Sequence, residues 1–298
     1  MTGSVKKIQK VVKNSYLLAL QNLKEKNLYR KLVESDAVGA VTIKRGKKKY
    51  ISFCSNDYLG LSQNHAVKKA AIAAIKKFGV GSGASRYVTG NNSLYTKLEK
   101  SLAKFKKADD AIVFSSGYAT AIGVIPALAG EGDLIVADRL IHSSLIDGAK
   151  LSGARLMRFL HNDILHAKEI LTQNRGKFKK CLIITETVFS MDGDVGEIEK
   201  LLKLASEFDA ILISDDAHGL GNYSCEGSID KSRHLQLGTL SKAFGSLGGY
   251  VAGEKNLIEY LRNFAKSAIY STALPASVLA ASLASLKIIQ QKNLGKKL

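Results

Sequence analysis

Lys242 stands in "GTLSKAFGSLGGY" (Gly238–Tyr250), among glycines, small side chains and hydroxyls. Most other lysines of the chain have polar, solvent-seeking surroundings, whereas here no sequence neighbour can pair with an ammonium. A lysine kept in a tight, water-poor turn favours its neutral amine, the form that attacks carbonyl carbon. Other groups with chemical capacity follow apolar runs. Asp215 and His218 lie in "DDAHG" after "AILIS"; His142 lies in "RLIHSSLIDG" after "LIVAD"; "ETVFSMDGD" follows "CLIIT"; and "SSGYAT" follows "AIVF". Each also has an ordinary reading. Asp215 can cap the next segment, His142 can be a plain loop histidine, and "SSGYAT" can be a simple strand-to-helix turn. Taken functionally, a carboxylate at the end of a buried strand calls for a cation to meet it. Ser116, Gly117 and Tyr118 offer amides and a hydroxyl at a helix N-terminus, where an anion binds.

One cofactor needs this whole set. Pyridoxal 5′-phosphate (PLP) has an aldehyde that forms a Schiff base with a lysine, and a phosphate that suits helix-end amides and hydroxyls. Its pyridine nitrogen needs an acid to hold a proton there, so that the ring can take up an electron pair. Lys242 fits the first role, with Gly245, Gly248 and Gly249 letting the backbone turn closely around the ring. The stretch "GSGASRYVTG" (Gly81–Gly90) imitates a phosphate loop, but it lacks the Gly-Lys-Ser/Thr ending and no strand precedes it.

The elements that must position these groups are legible as alternation. Ala111–Phe114, Leu134–Ala137, Cys181–Thr185 and Ala210–Ser214 are short apolar runs of the kind buried on both faces of a sheet. Between them, Ala66–Phe78, Ser93–Phe105 and "EIEKLLKLASEF" carry apolar residues at helical spacing; in the last, Ile198, Leu201, Leu202, Ala205 and Phe208 form one stripe. This order predicts an α/β fold with a mostly parallel central sheet flanked by helices. In such a sheet, ligands bind beyond the carboxyl ends of the strands, which is where the residues above fall.

Composition narrows the classes. At 298 residues and 46% hydrophobic, the chain can bury a large core. Its formal charge is +18, but only 9 of the 44 basic residues are arginine and the lysines scatter in many short clusters. Solvated faces and attraction of an anionic substrate are expected, and nucleic acid is not. No run is long enough to span a bilayer, and "MTGSVKKIQKVVKNSYLLALQNL" reads as an amphipathic helix rather than a secretory signal. Cys54, Cys181 and Cys225 have no metal-ligand spacing; ordinary thiols, no metal and a reducing cytoplasm are expected.

The chain resembles the α-oxoamine synthases, PLP enzymes of fold type I that join an amino acid to an acyl thioester and release carbon dioxide. The resemblance is carried by "SNDYLGLS" (Ser55–Ser62), "SSGYATAIG", "ADRLIHSSLIDGAKLSGARLMRFLHND" (Ala137–Asp163), "TETVFSMDGD" (Thr185–Asp194), "DDAHGLG", "GTLSKAFGSLGGYVAG" and "YSTALP" (Tyr270–Pro275), and covers almost the whole chain. "LSGARLMRFLHND" is most similar to the biotin-pathway member, a C-acyltransferase that condenses L-alanine with a pimeloyl thioester carried by coenzyme A or acyl carrier protein. A glycine C-acetyltransferase, a synthase with another acyl donor, and a shortened or silent PLP-fold subunit are the alternatives.

The resemblance implies roles residue by residue. Lys242 would form the Schiff base and move protons at the substrate α-carbon. Asp215 would pair with the pyridinium nitrogen, and His142 would stack on the ring face. His218 and Ser190 would sit by the phenolic oxygen. Ser116, Gly117, Tyr118 and Thr239 would surround the phosphate, and Thr272 would reach the phosphate of a neighbouring subunit, making a homodimer. Arg30 and Asn56 would contact substrate. The expected organisation is an N-terminal helical segment over 1–45, a PLP-binding large domain over 46–275, and at 276–298 the start of a truncated C-terminal domain. In the family, that domain supplies an arginine for the amino acid's carboxylate.

Overall fold

The computed structural model describes residues 2–219, 231–292 and 294. Chain contacts divide it into Met1–Phe53 and Cys54–Leu298. The first unit holds α1 (Thr2–Glu25) and an antiparallel sheet of β1 (Asp36–Ala37), β2 (Thr42–Arg45) and β3 (Lys48–Ile51). Arg30 belongs to this unit and is exposed.

The alternation of apolar runs and amphipathic stretches becomes the second unit. In chain order it comprises α2 (His65–Phe78), α3 (Ser93–Phe105), β4 (Asp110–Phe114), α4 (Gly117–Leu128), β5 (Leu134–Asp138), α5 (Ser143–Ser152), β6 (Arg155–Phe159), α6 (Ile164–Asn174), β7 (Cys181–Glu186), α7 (Ile198–Glu207), β8 (Ile211–Asp215), β9 (His234–Thr239), β10 (Gly249–Gly253), α8 (Lys255–Phe264), α9 (Lys266–Ile269) and α10 (Ala276–Lys292). The seven strands pair in the order β4-β10-β9-β8-β7-β5-β6. All pairs are parallel except the two made by β10, which runs antiparallel to β4 and β9.

Side-chain alternation along the strands builds the layers. Ile112 and Phe114 of β4, with Leu182 and Ile184 of β7, face α4, α5, α8 and α9. Ala111 and Val113 of β4 face α3 and α10 on the other side, where Leu279, Leu286 and Ile289 of α10 are buried. Further along that side, Cys181 and Ile183 of β7 face α6 and α7. Burial pushes the Cys181 thiol up to about 12, so it is a structural residue; Cys225 lies outside the described residues.

Three strands do not read as apolar runs. β6 is an edge strand with Arg155 and Arg158 exposed. β9 starts "HLQ", and its polar side chains are tolerated inside because each is partnered: His234 Nε2 lies 2.8 Å from Ser214 Oγ, and Gln236 Nε2 donates to the Lys106 carbonyl at 3.1 Å. β10 is bounded by glycines where side chains do not fit. A Cβ on Gly253 would stand 2.4 Å from Leu235 Cδ2.

Candidate active site

The turn between β9 and β10 holds Lys242. Leu240 N–H donates to the Gly248 carbonyl at 2.9 Å, Gly245 N–H to the Lys242 carbonyl at 2.8 Å, and Ser246 N–H to the Leu240 carbonyl at 2.9 Å. Gly245 has φ +60°, and a Cβ there would stand 2.2 Å from Ser62 N, so the turn can close only with glycine. Leu240, Ala243 and Phe244 anchor the turn in the core and leave Lys242 half-buried at the strand ends. Burial lowers the lysine's pKa, and the charges of Asp215 and Glu186 offset this in part.

Lys242 Nζ lies 2.6 Å from His218 Nε2; His218 Nδ1 lies 2.7 Å from the Tyr58 hydroxyl, which donates to Asn56 Oδ1 at 3.1 Å. The direction of this chain follows from its end. The Asn56 oxygen can only accept, so Tyr58 donates to it and accepts from Nδ1–H, leaving the Nε2 lone pair facing the lysine. His218 is then a neutral imidazole. Burial, together with Lys242 and His142, pushes its pKa down to about 4, in agreement.

Beneath the lysine, two carboxylates stand at the ends of adjacent strands. Asp215 of β8 and Glu186 of β7 are register partners. Asp215 Oδ1 accepts from Ala217 N–H at 3.0 Å, and burial raises its pKa against the pull of Lys242. Glu186 is 2% exposed; its Oε1 accepts from His142 N–H at 2.5 Å. Burial and the neighbouring Asp215 push its carboxyl up to about 8. His142 is the N-cap of α5, its Nδ1 accepting from Ser144 N–H at 3.2 Å, with its ring exposed.

The third part of the site is the start of α4. Ser116 caps it, its Oγ accepting from Ala119 N–H at 3.0 Å. The first-turn amides of Gly117 and Tyr118 are those a helix start leaves without intrahelical partners. Thr239, at the end of β9, closes this cradle. A Cβ on Gly117 would meet Thr239 Cβ at 3.4 Å, and one on Gly249 would stand 2.5 Å from the Ser116 carbonyl oxygen and 2.7 Å from Gly117 N. The Tyr118 hydroxyl donates to Asp147 Oδ2 at 2.8 Å and points along α5.

Lys242, His218, Asp215, His142 and Asn56 are thus linked by contact or charge, and Ser116, Gly117 and Thr239 form one cradle. Ser190 is exposed in the turn after β7, with no hydrogen bond to His218. Thr272 is exposed and bridges Ser85 through its backbone. Tyr58 and Glu186 were not singled out from the sequence, although both lie in the motif stretches. Glu186 had a usable signal, an acid ending the apolar run "CLIIT"; Tyr58 had none, because its role depends on a partner 160 positions away.

Residues 48–296 match the aminotransferase class I and II family. The 8-amino-7-oxononanoate synthase of Geotalea daltonii is 44% identical over 283 residues, 92% of this chain and 71% of that protein. That of Methylobacterium nodulans is 45% identical over 271 residues, covering 91% and 70%. Among solved structures, the Sphingomonas wittichii serine palmitoyltransferase superposes with a TM-score of 0.82 at 27% identity, covering 93% of this chain and 72% of that one. An 8-amino-7-oxononanoate synthase from Francisella tularensis superposes with a TM-score of 0.66 at 33% identity, covering 80% and 68%.

Proposed function

The chain belongs to the aminotransferase class I and II family and, within it, to the 8-amino-7-oxononanoate synthases, and we propose that it joins L-alanine to a pimeloyl thioester with Lys242 as its central catalytic residue. It is a PLP-dependent C-acyltransferase of fold type I, in biotin biosynthesis. The observation that carries the residue-level reading is the environment of Lys242: a depressed amine facing a neutral imidazole, with buried carboxylates close enough to influence it.

The residues fit PLP. Lys242 would hold its aldehyde carbon and Asp215 its pyridine nitrogen, with His142 against the ring and His218, with Ser190 in the turn after β7, on the phenolic side. Ser116, Gly117, Tyr118 and Thr239 would take the phosphate, where the close approach at Gly249 leaves no room for a side chain. When bound, PLP accepts the electron pair left at the α-carbon as its proton, and later its carboxylate, departs.

The protein's own groups do the rest. Lys242, once its amine is released, takes the α-proton of alanine. His218 keeps that amine oriented through Nε2, and Tyr58 and Asn56 fix the imidazole. Asp215 would hold the proton on the pyridine nitrogen. The α-carbon attacks the thioester carbonyl and the thiol leaves; carbon dioxide is then lost, and a proton returns to the carbon. Arg30 is proposed for substrate contact, coenzyme A or acyl carrier protein as the acyl carrier, and the cytoplasm as the compartment. Thr272 is proposed to serve the cofactor phosphate of a second copy in a homodimer. No helix among the described residues is long and apolar enough to cross a membrane.

The test is incubation with PLP, L-alanine and pimeloyl-coenzyme A, following thiol release and the aminoketone by mass spectrometry. Alanine-dependent formation of both supports the reading; thiol release without the carbon–carbon bond refutes it.

A further inference from the structure

His161 lies outside the groups used above, yet it ties two of their supporting loops together. Its Nδ1 is 3.0 and 3.2 Å from the two oxygens of Asp138, and its Nε2 is 2.7 Å from Asp194 Oδ2. The ring meets Phe189 edge-on, with centroids 4.4 Å apart. Among the described residues, those two carboxylates are the ionisable groups whose atoms meet the ring. A neutral imidazole has one N–H and would set a lone pair against one carboxylate; two acceptor-only partners require the imidazolium.

Each carboxylate is built into a different loop. Asp138 ends β5 and is fully buried. It accepts from Leu140 N–H and Asn162 N–H, both at 2.8 Å, and so shapes the connection from β5 to His142. Asp194 closes the turn containing Ser190: Phe189 N–H donates to its carbonyl at 3.0 Å, and Gly193 N–H to the Phe189 carbonyl at 2.9 Å. Asn162 Nδ2 adds a bond to Asp194 Oδ2 at 2.8 Å, while Asp194 Oδ1 is buried without a partner among the described residues. That leaves the charge of Asp194 to be met mainly by His161.

We propose that His161 is a positioning residue whose imidazolium, gripped by Asp138 and Asp194, locks the connection carrying His142 to the turn carrying Ser190. The significance of the two loops rests on the functional reading above; the lock itself does not. Burial opposes the charge on His161, but the two carboxylates outweigh it and hold its pKa above the ordinary value. The lock is therefore complete below the unfolded histidine value near 6.5, as long as the carboxylates stay ionised. It opens as pH rises through the elevated histidine pKa.

Hydrogen exchange of the cofactor-free protein tests the lock. Protection of the Leu140, Phe189 and Gly193 amides, corrected for intrinsic rates, should fall about tenfold or more in the wild type between pH 6.5 and 9. In His161→Gln it should be low and flat across that range, and Asp194→Asn should behave likewise at Phe189 and Gly193. Wild-type protection unchanged with pH, or His161→Gln matching the wild type at pH 6.5, would overturn the proposal. A second readout is PLP titration followed by absorbance. His161→Gln should bind about tenfold more weakly than the wild type at pH 7 while melting within a few degrees of it; equal affinity would show that the loops do not need the lock. A wild type that binds no PLP would instead sink the functional reading, leaving the exchange result to decide the lock separately.

Discussion

Glu186 and Asp215 stand opposite each other at the carboxyl ends of two adjacent parallel strands, two acids in register inside the protein. Like charges so placed resist joint ionisation, and the carboxyl that bears its neighbour's charge as well as burial keeps its proton into the neutral range. Glu186 is that group, at about 8. Burial raises the Asp215 pKa and Lys242 draws it back, while Glu186 accepts the His142 N–H without adding a full second charge.

Substitution of Glu186 tests this through stability. The carboxyl's folded-state pKa is raised, so its contribution is fully present below the unfolded value near 4.5 and is lost as pH rises towards about 8. Glu186→Gln removes that loss. In urea unfolding of the cofactor-free protein, variant and wild type should be alike near pH 4.5. By pH 8.5 the variant should be more stable by roughly 2–4 kcal/mol, since each pKa unit is worth about 1.4 kcal/mol. Parallel stability curves across that range would show that Glu186 is ionised throughout.

Tyr58→Phe should leave PLP attachment intact and slow turnover. Without the phenol, the His218 Nδ1–H loses its acceptor and the ring is free to turn away from Lys242. An unsatisfied donor costs about 1–3 kcal/mol, so steady-state kcat should fall roughly five- to a hundredfold. A kcat within twofold of the wild type would remove Tyr58 from the machinery.

Gly249→Ala should damage the anion cradle. Its methyl would stand 2.5 Å from the Ser116 carbonyl oxygen and 2.7 Å from Gly117 N, both backbone atoms that cannot swing aside. PLP affinity should drop at least about tenfold by absorbance titration, as expected for losing a charge-assisted contact worth about 1.5–3 kcal/mol. Gly176→Ala is the control, since a Cβ there meets nothing within 4 Å and the backbone is unstrained. Equal affinities for both variants would place the phosphate elsewhere.

The four apolar runs were legible because strands buried on both faces need continuous hydrophobicity. Each is recovered as β4, β5, β7 or β8 with its polar residue at the carboxyl end. The helices at Ala66–Phe78 and Ser93–Phe105 were legible from spacing, and begin where Asn64 and Asn92 cap them. β6, β9 and β10 escaped because their fitness for the sheet lies in partners: an exposed edge, the Ser214–His234 bond, and glycines packed against other backbone. The same distinction holds in the site. Lys242 announced itself through a turn unable to satisfy an ammonium. Tyr58, Glu186 and His161 acquire their roles only when distant strand ends meet, and no local pattern encodes that meeting.

If Lys242 is the group that holds PLP, covalent trapping will show it. The protein is incubated with PLP, reduced with borohydride, digested and mapped by mass spectrometry. A single stoichiometric pyridoxyl adduct is expected on the peptide carrying Lys242, with the yellow band bleached, and no such adduct in Lys242→Ala. An adduct spread over surface lysines, or a stoichiometric one persisting in Lys242→Ala, would contradict it.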